Sequence, residues 1–215
     1  MTAAVLFAPY QILAQSLIPH VIANPGDGSH DTSHLHRVWK NAAAIRAEEG
    51  GDGEVLMAST VLHDCVPVEK NSPLRAQASR LSAERASRIL TSMGWDESKV
   101  QAVAHAIEAH SFSAGIAPAT LEAKILQDAD RLDAIGILGA ARCFYVAGRM
   151  GGALYDPLDP KALTRPYDDT RYAIDHFQTK LLKLSSGFQT SAGARFAHRR
   201  QERLRRFLDE FLDEI

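Results

Sequence analysis

"HLHRVWKNAAAI", residues 34–45, carries its apolar side chains at the spacing of a helix rather than a strand. Val38, Ala42 and Ile45 fall four, eight and eleven residues after His34, on one face of a helix with about 3.6 residues per turn. An imidazole therefore heads an apolar stripe, whereas His36 projects toward Lys40 and Ala47, at the rim. A single inward histidine is ordinarily a hydrogen-bonded core residue. The stretch thus asks whether other inward polar groups converge on it.

Helical periodicity continues on both sides and predicts helices at about 9–23, 32–49, 54–65, 79–93, 97–110, 120–149, 169–186 and 191–213. Punctuation agrees: "NPGDGS" and "GGDG" break the chain, Gly94 stands as a C-cap, Asp96 as an N-cap, and Thr120 caps the helix beginning at Leu121. No run alternates with period two, no Asn-Gly hairpin turn is present and no internal repeat is visible. The expected fold is all-α.

Composition narrows the function. Of 215 residues, 46% are hydrophobic, enough for a sizeable core, and the net charge of −2 with interspersed signs argues against nucleic-acid or membrane attachment. No apolar run is long enough to span a bilayer, and "MTAAVLFAPYQILAQ" lacks the basic start of a signal peptide, so a cytoplasmic protein is expected. Cys65 and Cys143 read as reduced core thiols. Homo-oligomerisation is left open. The basic look of "ARFAHRRQERLRRFLDEFLDEI" dissolves on inspection, because Leu204, Phe207, Leu208, Phe211 and Leu212 form a core-facing stripe and the arginines solvate the rest.

The polar residues that face inward carry the chemistry. Asp130 lies four residues after Leu126 and seven before Ile137, on an apolar face, and a buried carboxylate needs a cation or strong donors. Asp133 is one turn further on nearly the same face, whereas Asp128 suits a surface ion pair with Lys124 and Arg131. His63 and Asp64 close the apolar helix that contains Val55, Leu56, Met57, Val61 and Leu62. His34, His63, Asp64 and Asp130 form a nitrogen-and-oxygen donor set without thiolates. That set suits one octahedral divalent ion, Mn²⁺ first, with Mg²⁺, Fe²⁺, Co²⁺ or Ni²⁺ as alternatives. Four protein ligands leave two positions for water or substrate oxygens, an arrangement for hydrolysis.

At these residues the chain resembles the HD-domain metal-dependent phosphohydrolase superfamily, particularly its small stand-alone bacterial members that act on nucleotides. "HDTSHLHRVWKNA" resembles the block supplying His34, "LHDCVPVEKNSP" the block supplying His63 and Asp64, and "LQDADRLDAIG" the block supplying Asp130. The likeness covers roughly residues 28–140. It implies one helical domain over 1–215, with the helices at 169–213 packing on it.

What the resemblance implies is a nucleotide phosphohydrolase, with cleavage of a nucleoside triphosphate to monophosphate and pyrophosphate as the first expectation. Dephosphorylation of a monophosphate and opening of a cyclic nucleotide are the alternatives; a metal-binding scaffold is the non-enzymatic one. Asp64 is a catalytic residue through the ion it holds; Glu69 and Asp133 are the candidates for general base, and either could instead accept a hydrogen bond from a ligating histidine. Lys70, Arg75 and Arg37 would offset phosphate charge. His110 continues the face of Val103 and Ile107 toward the site, as a substrate group or a partner of the ligands, and His105 faces elsewhere. Tyr155, in a long Gly- and Pro-rich loop, would cover the base.

Overall fold

Helix boundaries in the computed structural model follow the local chemistry of the chain. The structure describes residues 3–21, 32–68, 72, 74–111 and 114–215. Its helices are α1 (Gln11–Leu17), α2 (Thr32–Glu49), α3 (Gly53–Leu62), α4 (Ala78–Ser92), α5 (Glu97–His110), α6 (Leu121–Asp133), α7 (Gly136–Arg149), α8 (Asp175–Thr179) and α9 (Ser191–Asp213). Among the described residues there is no strand, only an isolated bridge between Ala153 and Tyr172. The all-α expectation therefore holds. No helix of the described residues is long and apolar enough to cross a membrane.

The chain divides into two compact units, Met1–Asp130 and Arg131–Ile215. In the first, α3 is the central element. Every residue from Val55 to Leu62 is buried, as befits a helix apolar on all sides, and it packs on α1, α2, α4 and α5. Its start is fixed by Asp52, whose carboxylate accepts from the backbone N–H groups of Glu54 and Val55 at 2.8 and 3.2 Å. In the second unit, α7 packs on α9. Leu204 and Leu208 of the expected stripe are buried with Ala140, Ile174, Phe177 and Leu181, and Phe207, Phe211 and Leu212 lie against that cluster.

Four helix expectations need correction. The span 120–149 is two helices, because Gly136 takes φ +79°, a left-handed conformation incompatible with a continuous α-helix. Ile137 consequently sits on α7, 53% exposed, and does not extend the face of Asp130. The span 169–186 shrinks to α8 and the 3-10 turn Leu181–Lys183, because buried Asp175 binds loop groups instead of facing solvent from a longer helix. The first helix gives way at Leu17 to the 3-10 turn Ile18–His20, where Pro19 withholds a backbone donor. Finally, α3 ends at Leu62, so His63 and Asp64 lie just beyond it. Gly94 (φ +79°) and Thr120, whose Oγ1 accepts from Ala123 N at 3.2 Å, act as the caps expected, whereas Asp96 makes no side-chain cap hydrogen bond.

Candidate metal centre

His34 projects from the first turn of α2 and is 2% exposed, on the same face as buried Val38, Ala42 and Ile45. His63 occupies the C-cap of α3 and is fully buried. Its Nδ1 lies 2.8 Å from the carbonyl of Thr60. A carbonyl can only accept, so Nδ1 carries the proton and Nε2 is left with its lone pair. His110, the last residue of α5, repeats the device: its Nδ1–H donates to the Ile107 carbonyl at 2.6 Å. Both histidines thus use an orphan helix-end carbonyl to fix their tautomer.

Three imidazole Nε2 atoms and two carboxylates converge. His34 Nε2 is 3.3 Å from His63 Nε2 and 3.5 Å from Asp130 Oδ1. His63 Nε2 is 3.5 Å from Asp64 Oδ2, and His110 Nε2 is 3.8 Å from Asp64 Oδ1. The His63 ring meets the rings of His34 and His110 edge-on at centroid distances of 5.3 and 5.0 Å. With bonds of about 2.1 Å, neighbouring ligands of an octahedral ion lie about 3 Å apart and opposite ones about 4.2 Å. The observed separations fall in that range, and His34, His63 and Asp130, or His63, Asp64 and His110, each offer ligand atoms that all lie within 4.8 Å of one another. Either triad of imidazole nitrogens and carboxylate oxygens could hold a divalent ion.

The site has a dry side and a wet side. The imidazoles of His34 and His63 are buried, whereas the Asp130 and Asp64 side chains are 31% and 45% exposed. A ligand would enter past the carboxylates. Burial, and after it the neighbouring His63, pushes the His110 imidazole below its usual range, which keeps it neutral at pH 7. Burial likewise pushes the Cys65 thiol up to about 11, so the residue following Asp64 is a thiol rather than a thiolate near neutral pH.

Other sequence candidates lie elsewhere or beyond view. Glu69 and Lys70 fall outside the described residues; Arg75 opens the 3-10 turn Arg75–Gln77, and its side chain is not among those described. Arg37 Nη1 donates to Ser33 Oγ at 2.7 Å on the same helix. Asp133 is fully buried in the second unit and accepts from Arg142 Nη1 at 2.8 Å. Tyr155 packs its ring edge-on against Phe211 in that unit. His105 accepts from the backbone N–H of Ala119 at 2.9 Å.

Asp128 corrects the sequence reading: it is fully buried rather than paired at the surface. Residues 125–129 of α6 are all buried, so that helix has no solvent face there. Arg131 donates instead to the carbonyls of Leu184, Ser186 and Gly187, at 3.1, 2.7 and 2.8 Å. Two buried amides beside the cluster, Asn41 and Gln127, were also passed over. The facing test that found His34 would have reached Asn41, seven residues on.

Residues 32–135 match the HD domain model. The chain is 30% identical over 190 residues to the uncharacterized protein YpgQ of Bacillus subtilis (strain 168), covering 86% of this chain and 84% of that protein. Among solved structures it resembles an HD-superfamily hydrolase from Bacillus thuringiensis, with 28% identity, a TM-score of 0.73, and coverage of 95% and 96% of the two chains. It is similarly close to Bacillus subtilis YpgQ in complex with ADP, with 27% identity, a TM-score of 0.72, and coverage of 100% and 97%.

Proposed function

Since the chain belongs to the HD-domain superfamily of metal-dependent phosphohydrolases, we propose that it hydrolyses a nucleoside triphosphate to the monophosphate and pyrophosphate. The observation that carries the reading is the cluster itself: buried Nε2 atoms and partly exposed carboxylates at 3.3 to 3.8 Å. His34, His63, Asp64 and Asp130 would hold one divalent ion, Mn²⁺ in this reading, which supplies a polarised phosphoryl oxygen and a more acidic bound water. The ADP bound to YpgQ supports a nucleotide ligand.

The remaining assignments follow from charge and protonation. Glu69, five residues past Asp64, is the general base of this proposal. Asp133 is its rival, with a carboxylate already bonded to Arg142. Lys70, Arg75 and Arg37 would offset phosphate charge. Neutral His110 presents an acceptor nitrogen to a substrate hydroxyl or to water.

Metal analysis of the purified protein, followed by a nucleotide panel with Mn²⁺, tests this. Release of pyrophosphate from triphosphates is the expected result. Orthophosphate from monophosphates, or opening of a cyclic nucleotide, would reassign the bond. Metal bound with no nucleotide or phosphate ester cleaved would make the chain a scaffold.

A further inference from the structure

Two buried side-chain amides each bind the backbone carbonyl of the residue directly before a residue of the cluster. Asn41 Nδ2 donates to the carbonyl of Ala129, which precedes Asp130, at 2.9 Å. Gln127 Nε2 donates to the carbonyl of Ala109, which precedes His110, at 2.8 Å. Asn41 is 6% exposed and Gln127 3%. The first bond ties α2, which carries His34, to α6, which carries Asp130; the second ties α6 to the end of α5. Ala109 and Ile107 both contribute orphan carbonyls of the last turn of α5. One is capped by Gln127 and the other by the His110 ring itself.

The Oε1 of Gln127 is buried and has no hydrogen-bond partner among the described residues. Leaving half of a buried carboxamide unpaired costs more than an apolar side chain of similar volume would, and what sets Gln127 apart is that its donor holds the carbonyl next to His110. What the amide supplies is direction. An ion with near-octahedral preference tolerates little displacement of its donors, and partners outside the ligand shell orient that shell. With three helices between them in sequence, α2 and α6 rely on non-covalent contacts to hold such distances.

We propose that Asn41 and Gln127 are positioning residues of the metal centre, a two-amide brace that sets the spacing of the helices bearing His34, Asp130 and His110. The inference rests on the metal-centre reading above and deepens it. Gln201, in the second unit, provides a matched control. It is also buried, donates through Nε2 to a backbone carbonyl (Leu182, 2.7 Å) and leaves its Oε1 unpaired, yet none of its described partners belongs to the cluster.

The test compares Gln127→Met, Asn41→Leu and Gln201→Met with the wild type. It measures Mn²⁺ affinity from the free-ion EPR signal, the Tm of the metal-free protein and the rise in Tm on adding Mn²⁺. Gln127→Met and Asn41→Leu should weaken Mn²⁺ binding by about tenfold to a hundredfold, the range for partners of ligating residues. The metal-induced rise in Tm should shrink, and Gln201→Met should leave affinity unchanged. If Asn41→Leu does not fold, Gln127→Met alone carries the comparison. Wild-type Mn²⁺ affinity in Gln127→Met, with a lowered metal-free Tm, would overturn the proposal and make the amide a packing device. A wild type that binds no Mn²⁺ fails differently, because it removes the centre itself and the brace with it.

Discussion

Two sets of carboxylates, one in each unit, are handled in opposite ways. In the second, Asp175 is 1% exposed and saturated with donors: Arg165 Nη1 and Nη2 at 2.5 and 3.1 Å, and the backbone N–H of Asp168 at 2.7 Å. Arg165 also reaches Asp156 at 3.1 Å and stacks on the Tyr172 ring. These contacts tie down the loop after α7. In the first unit, Asp64 and Asp130 stand at 3.5 to 3.8 Å from imidazole nitrogens, beyond the length of a charge-assisted hydrogen bond. One region has closed its electrostatics with its own side chains. The other has the spacing of ligands around something between them. Distance, more than residue type, separates a structural ion pair from a candidate coordination shell.

The sharpest way to break this comparison is to truncate one acid from each side. Asp64→Ala should abolish metal binding and reduce phosphohydrolase activity by at least about a thousandfold, since a metal centre supplies several kcal/mol of transition-state stabilisation. The metal-free Tm should move little, because the Asp64 side chain is 45% exposed. Retained metal and activity in this variant would sink the site. Asp175→Ala should do the reverse. It removes the buried acceptor of the Arg165 guanidinium and of the Asp168 N–H, so Tm falls, while Mn²⁺ affinity measured below that Tm stays at the wild-type value. A larger loss of affinity than of stability would mean that the two kinds of carboxylate are not distinct.

Local periodicity made some of this legible and hid the rest. The His34 face was readable because Val38, Ala42 and Ile45 repeat at helical spacing and are indeed buried. Asp128 was misread because i, i+4 arithmetic assumes a helix with a solvent side, and tertiary packing removes that side from residues 125–129. Gly136 looked tolerable inside a long helix, since composition does not reveal that its φ is +79°. The partners of Arg131, more than fifty residues away, leave no trace in any local window. The site was more accessible than its supports because ligating residue types are few, whereas an amide such as Gln127 fits many roles.

The smallest effect expected discriminates between the units without altering either. Each contains one free cysteine: Cys65 follows Asp64, and Cys143 lies on α7. Burial pushes both thiols up to about 11, so at pH 8 only about one in a thousand would be thiolate even if reached. Cys65 is fully buried, so its labelling must proceed through opening of the surrounding structure, whereas Cys143 is partly buried and serves as the reference thiol of the second unit. An ion that binds only the closed form at about a hundred times its Kd suppresses opening about a hundredfold. Saturating Mn²⁺ should accordingly slow alkylation of Cys65 by about that factor and slow Cys143 much less, as read by mass spectrometry of each peptide. Equal protection of the two thiols would mean that the regions open together. Their contrast would then lie in local chemistry alone, with stability shared across the chain.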